Sequence, residues 1–216
     1  MQAAVPKQYL PLGKKTVLAH TLDCFLNHKS ISKIFVAVSP DDGYWSETGL
    51  PELDNVVTVE GGQERCHSVF NALLHLLPEA NDDDWVLIHD AARPCLRSED
   101  IDMLIERLQD HDAGGLLAIP VRDTMKRSNT DDEVSETVER ERLWHALTPQ
   151  MFHVGPLFRA MKAALDTGEQ VTDEASAIEL QKKKPLLVEG HSDNIKITRP
   201  EDLQLAHFYL QQQGRI

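Results

Sequence analysis

Trp85-Val86-Leu87-Ile88-His89-Asp90-Ala91-Ala92-Arg93-Pro94 is a short apolar run that stops on an acid, two alanines and an arginine. Bounded in this way, it reads as a buried strand ending in a site. In open α/β sheets ligands sit outside the carboxyl ends of strands, where the chain must turn. Asp90 is delivered there as a carboxylate and Arg93 as a cation for an anion, while Ala91-Ala92 let a flat group approach the backbone. An ordinary strand-to-loop turn with a solvated Asp is the competing reading of this stretch taken alone.

Outward from this run, strands and helices alternate. Val17/Leu18, Leu22 and Phe25/Leu26 give helical spacing from Thr16 to about His28, and Ile34–Val38 is a second buried strand ending at Ser39-Pro40. Arg65 to Leu77 is helical with Pro78 as its stop. Ser98 is placed to cap a helix carrying Ile101, Leu104 and Leu108, with acids in its first turn. Gly114-Gly115 leads to an apolar strand over Leu116–Val121. Helices are also predicted from Gly155-Pro156 to about Leu165, from Thr172-Asp173-Glu174, and over Leu203–Leu210 behind a capping box at Thr198-Arg199-Pro200-Glu201. Leu186–Glu189 and Asn194–Ile197 read as short strands. Such alternation predicts an α/β fold, a Rossmann-like, mostly parallel sheet with helices on both faces.

Residues 122–145 break the pattern. Thr124–Arg127 and Val134–Val138 read as two polar strands about a turn-forming tip. A hairpin that cannot bury itself is marginal alone, so a protruding arm that pairs with a second copy is expected, making the protein a homodimer.

The 216 residues, 41% of them hydrophobic, suit one α/β domain. No apolar run approaches a membrane span and no charged-then-apolar leader opens the chain, so a cytoplasmic location is expected. Cys24, Cys66 and Cys95 form no CxxC pair and fit reduced thiols. Ten histidines without HExxH or a close ligand pair argue against structural zinc. A net charge of −13 argues against sequence-independent nucleic-acid binding, which needs a basic face. Against that acidity, Lys7, Arg65, Arg93, Lys126, Arg140 and Lys196 gather in or beside predicted loops and strand ends, an arrangement suited to a small polyanion such as a nucleotide. The absence of GxGxxG speaks against a dinucleotide-binding oxidoreductase.

Seven stretches carry a resemblance. They are Pro6-Lys7-Gln8-Tyr9-Leu10, Gly61-Gly62 with Arg65 and Ser68, His89–Pro94, Val121-Arg122-Asp123-Thr124, Leu143–Gln150, Thr172–Ser176, and Asp193-Asn194-Ile195-Lys196 followed by Thr198–Asp202. In this order, over almost the whole chain, they resemble the 2-C-methyl-D-erythritol 4-phosphate cytidylyltransferase family. The resemblance implies transfer of CMP from CTP to the methylerythritol phosphate, with release of pyrophosphate. It makes Lys7 the group that stabilises the pentavalent transition state. Lys196 and Arg140 hold the attacking phosphate, Arg140 from the arm and into a neighbouring subunit's site. Gly62, Gln63, Ser68, Asp90, Ala91, Ala92 and Arg93 recognise the nucleotide, and Thr124, Thr148 and Thr172 line the methylerythritol pocket. It also implies Mg²⁺ on the triphosphate, with Asp90 and then Asp193 as carboxylates for it. A cytidylyltransferase for another sugar-alcohol phosphate, such as ribitol 5-phosphate, would share these features, and a non-catalytic nucleotide-binding protein stands as an alternative of another class.

The family opens with an apolar strand and a glycine-rich loop bearing an arginine, and Met1 stands where that loop should be ending. Taking a strand from inside a sheet leaves two rows of backbone donors and acceptors unpaired. About twenty residues are therefore expected upstream, with Ile34–Val38 and Trp85–Ile88 flanking an empty slot ~9–10 Å wide, twice the strand spacing. Direct hydrogen bonding between those strands would refute this.

Overall fold

The computed structural model describes residues 5–216; the reading placed on Met1 lies outside them. The central sheet has four strands in the order β10-β6-β9-β5: β5 (Trp85–Ile88), β6 (Gly115–Pro120), β9 (Trp144–His153) and β10 (Leu186–Glu189). β10 runs parallel to β6, whereas β9 is antiparallel to both β6 and β5. A separate parallel pair is formed by β3 (Ile34–Val38) and β4 (Val56–Glu60). The mostly parallel sheet therefore contains one reversed strand, β9.

Neither β4 nor β9 was predicted as a strand. β9 hides its nature behind Pro149, a residue that a central ladder rejects. The structure accommodates it at a bulge. The pairing with β6 shifts between Leu116 and Ala118, so Leu147–Pro149 stand opposite Leu117 without regular ladder bonds. That irregularity frees the polar groups of Thr148 for other partners.

Both faces of the sheet are covered. On one, α3 (Ser98–Leu108) places Ile101, Leu104 and Leu108 against Leu117, Met151 and Val188. On the other, α4 (Val154–Thr167) and α5 (Glu174–Leu180) bring Leu157, Met161 and Ile178 against Leu116 and Phe152, beside Leu73 of α2 (Arg65–Leu76). Neighbours 116/117 and 151/152 fall into opposite clusters because successive strand side chains point to opposite faces. A third cluster joins the amino-terminal hairpin β1 (Pro11–Leu12) and β2 (Lys15–Thr16) to α1 (Val17–Leu26) and α6 (Pro200–Gln212), through Leu12, Val17, Ile197, Ala206 and Leu210.

β3 and β5 are not hydrogen-bonded to each other. β3 pairs with β4, β5 pairs with β9, and a cavity of about 570 Å³ lined by Ile34–Ala37 and Trp85–Ile88 separates them. The two strands expected to stand apart do so. Arg65, at the start of the helix that follows β4, meets Asp90 just past β5, so these strand ends open on the same side of the molecule.

Four local expectations are corrected. Asn194–Ile197 is a loop, with two local turn bonds and one long-range backbone bond, from Ile197 N–H to the Ala92 carbonyl at 2.8 Å. α3 begins at Ser98 itself, with Arg97 at the cap and no side-chain bond there. Of the Thr172-Asp173-Glu174 start only Glu174 is helical, with Asp173 as the cap of α5, accepting from Ser176 N–H at 3.0 Å. At α6 the capping carboxylate is Asp202, which accepts from the backbone of Thr198 (2.8 Å) and Arg199 (2.7 Å).

The arm is an antiparallel hairpin of β7 (Met125–Ser128) and β8 (Val134–Val138). Asn129 Oδ1 accepts from Asp131 and Glu133 N–H at its tip. Its strands are almost wholly exposed, with Val134 62% accessible. No helix among the described residues is long and apolar enough to cross a membrane.

Candidate active site

At the open side of β5 the turn Asp90–Arg93 closes through Arg93 N–H to the Asp90 carbonyl at 3.1 Å. The Asp90 side chain sits at the hub of a cation cluster. Its Oδ1 accepts from Arg65 Nε at 3.0 Å, and its Oδ2 faces Lys196 Nζ at 3.0 Å and Arg93 Nε at 3.4 Å. Burial alone would raise the Asp90 carboxyl; Arg65 and Lys196 outweigh it and hold the group well below the usual carboxylate range. Lys7 lies in the same field, its ammonium depressed by burial and by Lys196 and partly restored by Asp90. Residues from four distant stretches, 7, 65, 90–93 and 196, thus share one mouth in a strongly acidic chain.

Bonds made by Arg93, Asn194, Thr148 and His89 set the backbone of this turn. Arg93 Nη1 donates to the Asn194 carbonyl at 2.7 Å, and Asn194 Nδ2 donates to the Thr148 carbonyl at 2.8 Å. The Thr148 hydroxyl accepts from Asp90 N–H at 3.1 Å and lies 2.9 Å from His89 Nδ1. His89 Nε2 is 3.1 Å from the Arg93 carbonyl. A carbonyl can only accept, so Nε2 carries the proton and Nδ1 accepts from the Thr148 hydroxyl. A neutral imidazole therefore satisfies every partner, and burial lowers the His89 pKa from 6.5 to about 4.

The sign of its pH effect follows. Above pH 6.5 His89 is neutral whether the chain is folded or not. Between 6.5 and about 4 the unfolded chain takes up a proton that the folded one refuses, so stability drops as pH falls through that window. The drop is at most about 1.4 kcal/mol per pH unit for one group. Asp90, whose folded pKa is depressed, loses its contribution only at lower pH. His20, also lowered by burial, adds to the loss in the His89 window. Urea unfolding at pH 7.5, 6 and 5 is expected to show a shallower decline for His89→Asn than for the unsubstituted protein. Parallel declines would refute the neutral assignment.

The remaining nucleotide candidates lie along the rim. Gly62 N–H donates to Ser68 Oγ at 3.0 Å, and a Cβ on Gly62 would stand 2.2 Å from that of His67, so only glycine fits there. Gln63 and Ala91 are exposed, whereas Ala92 is buried. Of the predicted pocket threonines, Thr148 is buried in the network above, while Thr124 and Thr172 are exposed and stand outside these contacts. Arg140 is not brought to Asp90 within the chain; it donates to the Arg122 carbonyl at the base of the arm.

Of the two metal candidates, Asp90 has no open ligand atom, whereas Asp193 keeps its Oδ1 buried and without a hydrogen-bond partner. Both Asp90 oxygens are already met by cations, and Asp193 Oδ2 is taken by Arg97 Nη2 at 2.5 Å and Gln213 Nε2 at 3.1 Å. As placed, Asp90 does not fit a protein-held Mg²⁺, its oxygens being held by three cations, and Asp193 offers a single unpaired oxygen beside the Arg97 charge. A cluster that sequence reading missed is Glu64, Cys66 and His67, whose carboxylate, thiol and imidazole atoms lie within 4.8 Å of one another; the signal was the adjacent Cys-His pair.

Two site residues went unassigned in the sequence. Arg65 Nη1 and Nη2 grip Glu174 Oε1 and Oε2 at 2.6 and 2.9 Å while its Nε holds Asp90, joining the starts of α2 and α5 to the end of β5. His89, dismissed with the other histidines, fixes the turn.

The family model described as 2-C-methyl-D-erythritol 4-phosphate cytidylyltransferase matches residues 1–212. The chain is 52% identical over 210 residues to the protein of that name from Vibrio vulnificus (strain CMCP6), covering 97% of this chain and 89% of the relative. It is 51% identical over 205 residues to that of Pseudomonas syringae pv. tomato, covering 94% and 87%. Among solved structures, a 4-diphosphocytidyl-2C-methyl-D-erythritol synthase superposes with a TM-score of 0.86 at 40% identity over 94% of each chain. The Francisella tularensis 2-C-methyl-D-erythritol 4-phosphate cytidylyltransferase also gives 0.86, at 37% identity over 95% and 94%.

Proposed function

Because the chain belongs to the 2-C-methyl-D-erythritol 4-phosphate cytidylyltransferase family, we propose that its cation cluster transfers CMP from CTP to that sugar-alcohol phosphate. The products are pyrophosphate and 4-diphosphocytidyl-2-C-methyl-D-erythritol. The observation that supports this reading best is the convergence of Lys196, Arg93 and Arg65 on Asp90, with Lys7 beside them.

The reaction joins two polyanions. A phosphate monoester is largely dianionic at neutral pH, its second pKa being about 6, so it needs no general base to attack. What must be overcome is mutual repulsion and the charge that builds on the α-phosphate. Fixed cations in a partly dry mouth answer both demands. An arriving phosphate would compete with Asp90 for Lys196, which is the more exposed partner, its side chain 39% accessible. Lys196 and Arg140 hold the attacking phosphate and Lys7 meets the developing charge. Gly62, Gln63, Ser68 and the 90–93 turn hold the nucleotide, Thr124 and Thr172 face the alcohol, and the buried Thr148 serves the site by holding the Asp90 backbone and the His89 ring in place. Mg²⁺ belongs in this reading as the counter-ion that the triphosphate brings with it, and no step is assigned to it.

The same reading makes residues 1–216 one nucleotidyltransferase domain with 122–145 as its arm. The cavity between β3 and β5 takes one further apolar strand, whose following loop would reach the phosphates. The exposed arm supports a homodimer in which Arg140 serves the neighbouring site, and the reaction is placed in the cytoplasm.

The test is pyrophosphate release by the full-length protein with CTP, run in parallel with methylerythritol 4-phosphate and with ribitol 5-phosphate. Turnover is expected with the first and not the second. Preference for ribitol phosphate would move the assignment to another alcohol, and no release with either would remove it.

A further inference from the structure

Residues 213–216 touch each of the three stretches that carry Lys7, Arg93 and Lys196. The ending of α6 aims them there. Gly214 takes a left-handed φ of 67°, its N–H donates to the Gln211 carbonyl at 3.0 Å, and Arg215 N–H donates back to Leu210 at 2.9 Å. This is a Schellman ending, which reverses the chain and needs glycine at the left-handed position. The reversal lays the Arg215 guanidinium on the stretch just after Arg93. Nη1 donates to the carbonyls of Pro94 (2.8 Å) and Leu96 (3.1 Å), and Nη2 to that of His20 in α1 (2.7 Å). Gln213 Nε2 takes the carbonyl between them, Cys95, at 2.9 Å, and also Asp193 Oδ2 at 3.1 Å. Ile216 packs on Gly13, in the turn of the β1–β2 hairpin that follows Lys7.

Cys95 and Leu96 are fully buried, and this stretch belongs to no ladder that could pair its carbonyls. Buried carbonyls must find donors, and a planar guanidinium supplies several, charge-assisted and in fixed geometry. The path of residues 94–96 decides where Arg93 points. The place of Asp193, also gripped by Arg97, decides where the 193–196 turn presents Lys196.

We infer that Arg215 is a positioning residue for cytidylyl transfer: with Gln213 it fixes the 94–96 and 193–196 stretches so that Arg93 and Lys196 meet at Asp90. The inference rests on the function proposed above, so its test includes a readout independent of turnover.

Arg215→Lys keeps the charge and loses the fork; Gln213→Ala removes the bonds to Cys95 and Asp193 and the Oε1 that accepts from Arg215 Nη1 at 3.2 Å, but keeps the Arg215 guanidinium and its carbonyl bonds. Both are compared in the full-length protein with Phe158→Leu, which loosens the Phe70–Phe158 stack away from these contacts. Arg215→Lys is expected to lower kcat about tenfold or more with both KM values within about threefold, and Gln213→Ala to do so by about threefold, since small misplacements of reacting groups are costly. Phe158→Leu is expected to lower the unfolding midpoint and leave kcat unchanged. Amide exchange at Arg93 and Ile197, whose N–H groups bond Asp90 and Ala92, is expected to quicken about tenfold in Arg215→Lys and not in Phe158→Leu. An inactive unsubstituted protein would count against the proposed reaction, and exchange would then decide the positioning role alone. Unchanged exchange at both amides, or kcat losses that merely track the unfolding midpoint across all three variants, would overturn the inference.

Discussion

Lys196→Ala and Lys7→Ala are each expected to cut kcat for cytidylyl transfer by at least ~10²-fold, the scale at which removing one preorganised oxyanion donor acts. The expectation comes from where these two ammonium groups sit. Lys196 is 3.0 Å from Asp90 Oδ2, a carboxylate it shares with Arg93 and Arg65. Asp90 and Glu174, which Arg65 also grips, are two carboxylates against the four cations Lys7, Arg65, Arg93 and Lys196, so the mouth keeps a local positive excess inside a chain of net charge −13. Lys7 is already depressed by burial and by the repulsion of Lys196, a cost that an incoming phosphoryl group relieves.

Folding should hardly notice these substitutions. An exposed lysine in an ion pair contributes about 0–1 kcal/mol, and Lys7 takes no part in the buried clusters. Unfolding midpoints close to that of the unsubstituted protein, together with the loss of kcat, would separate chemistry from structure. Replacement by arginine keeps the charge and changes its shape, so a partial return of kcat in Lys196→Arg would show that position and charge both count. Near-normal kcat in both alanine variants would remove the electrostatic mechanism.

Much of this mouth was legible beforehand because it lies where local patterns end. The apolar run 85–88 announced a strand and His89–Pro94 its functional end; the helix over Arg65–Leu76 followed from its periodicity and from Pro78. What sequence reading lost were features created by tertiary contact. β9 is concealed by Pro149, acceptable only because the ladder with β6 is broken opposite it. Arg65 read as one of several strand-end cations suited to a polyanion, and its structural role appeared only when folding placed Glu174, over a hundred residues away, in its fork. His89 had no partner in sequence to mark it; Thr148 and the Arg93 carbonyl become its neighbours only when β5 and β9 pair. Asn194–Ile197 carried the β-rich composition of a strand but found local turn bonds and one distant backbone partner, Ala92, instead of a ladder.

Arg65→Ala is expected to destabilise the fold by about 3–5 kcal/mol, the range for removing one partner of a buried ion pair. Glu174 is fully buried, and burial pushes its carboxyl up even with the guanidinium in place. Arg65 answers with a bidentate grip on that carboxylate and a third bond to Asp90, so its own pKa is raised despite burial. Without it Glu174 must either stay charged and unpaired or take up a proton, and both outcomes cost stability. For a domain of this size the loss corresponds to roughly 6–20 °C in the unfolding midpoint. Glu174→Gln makes the complementary test: it keeps the shape, discharges the buried partner and leaves Arg65 its bond to Asp90, so a smaller loss of about 1–2 kcal/mol is expected. In the double variant the two losses should fall short of their sum, because each substitution removes the same interaction. Additive losses would show that Arg65 and Glu174 act separately, and the joint between α2, α5 and the end of β5 would then lie elsewhere.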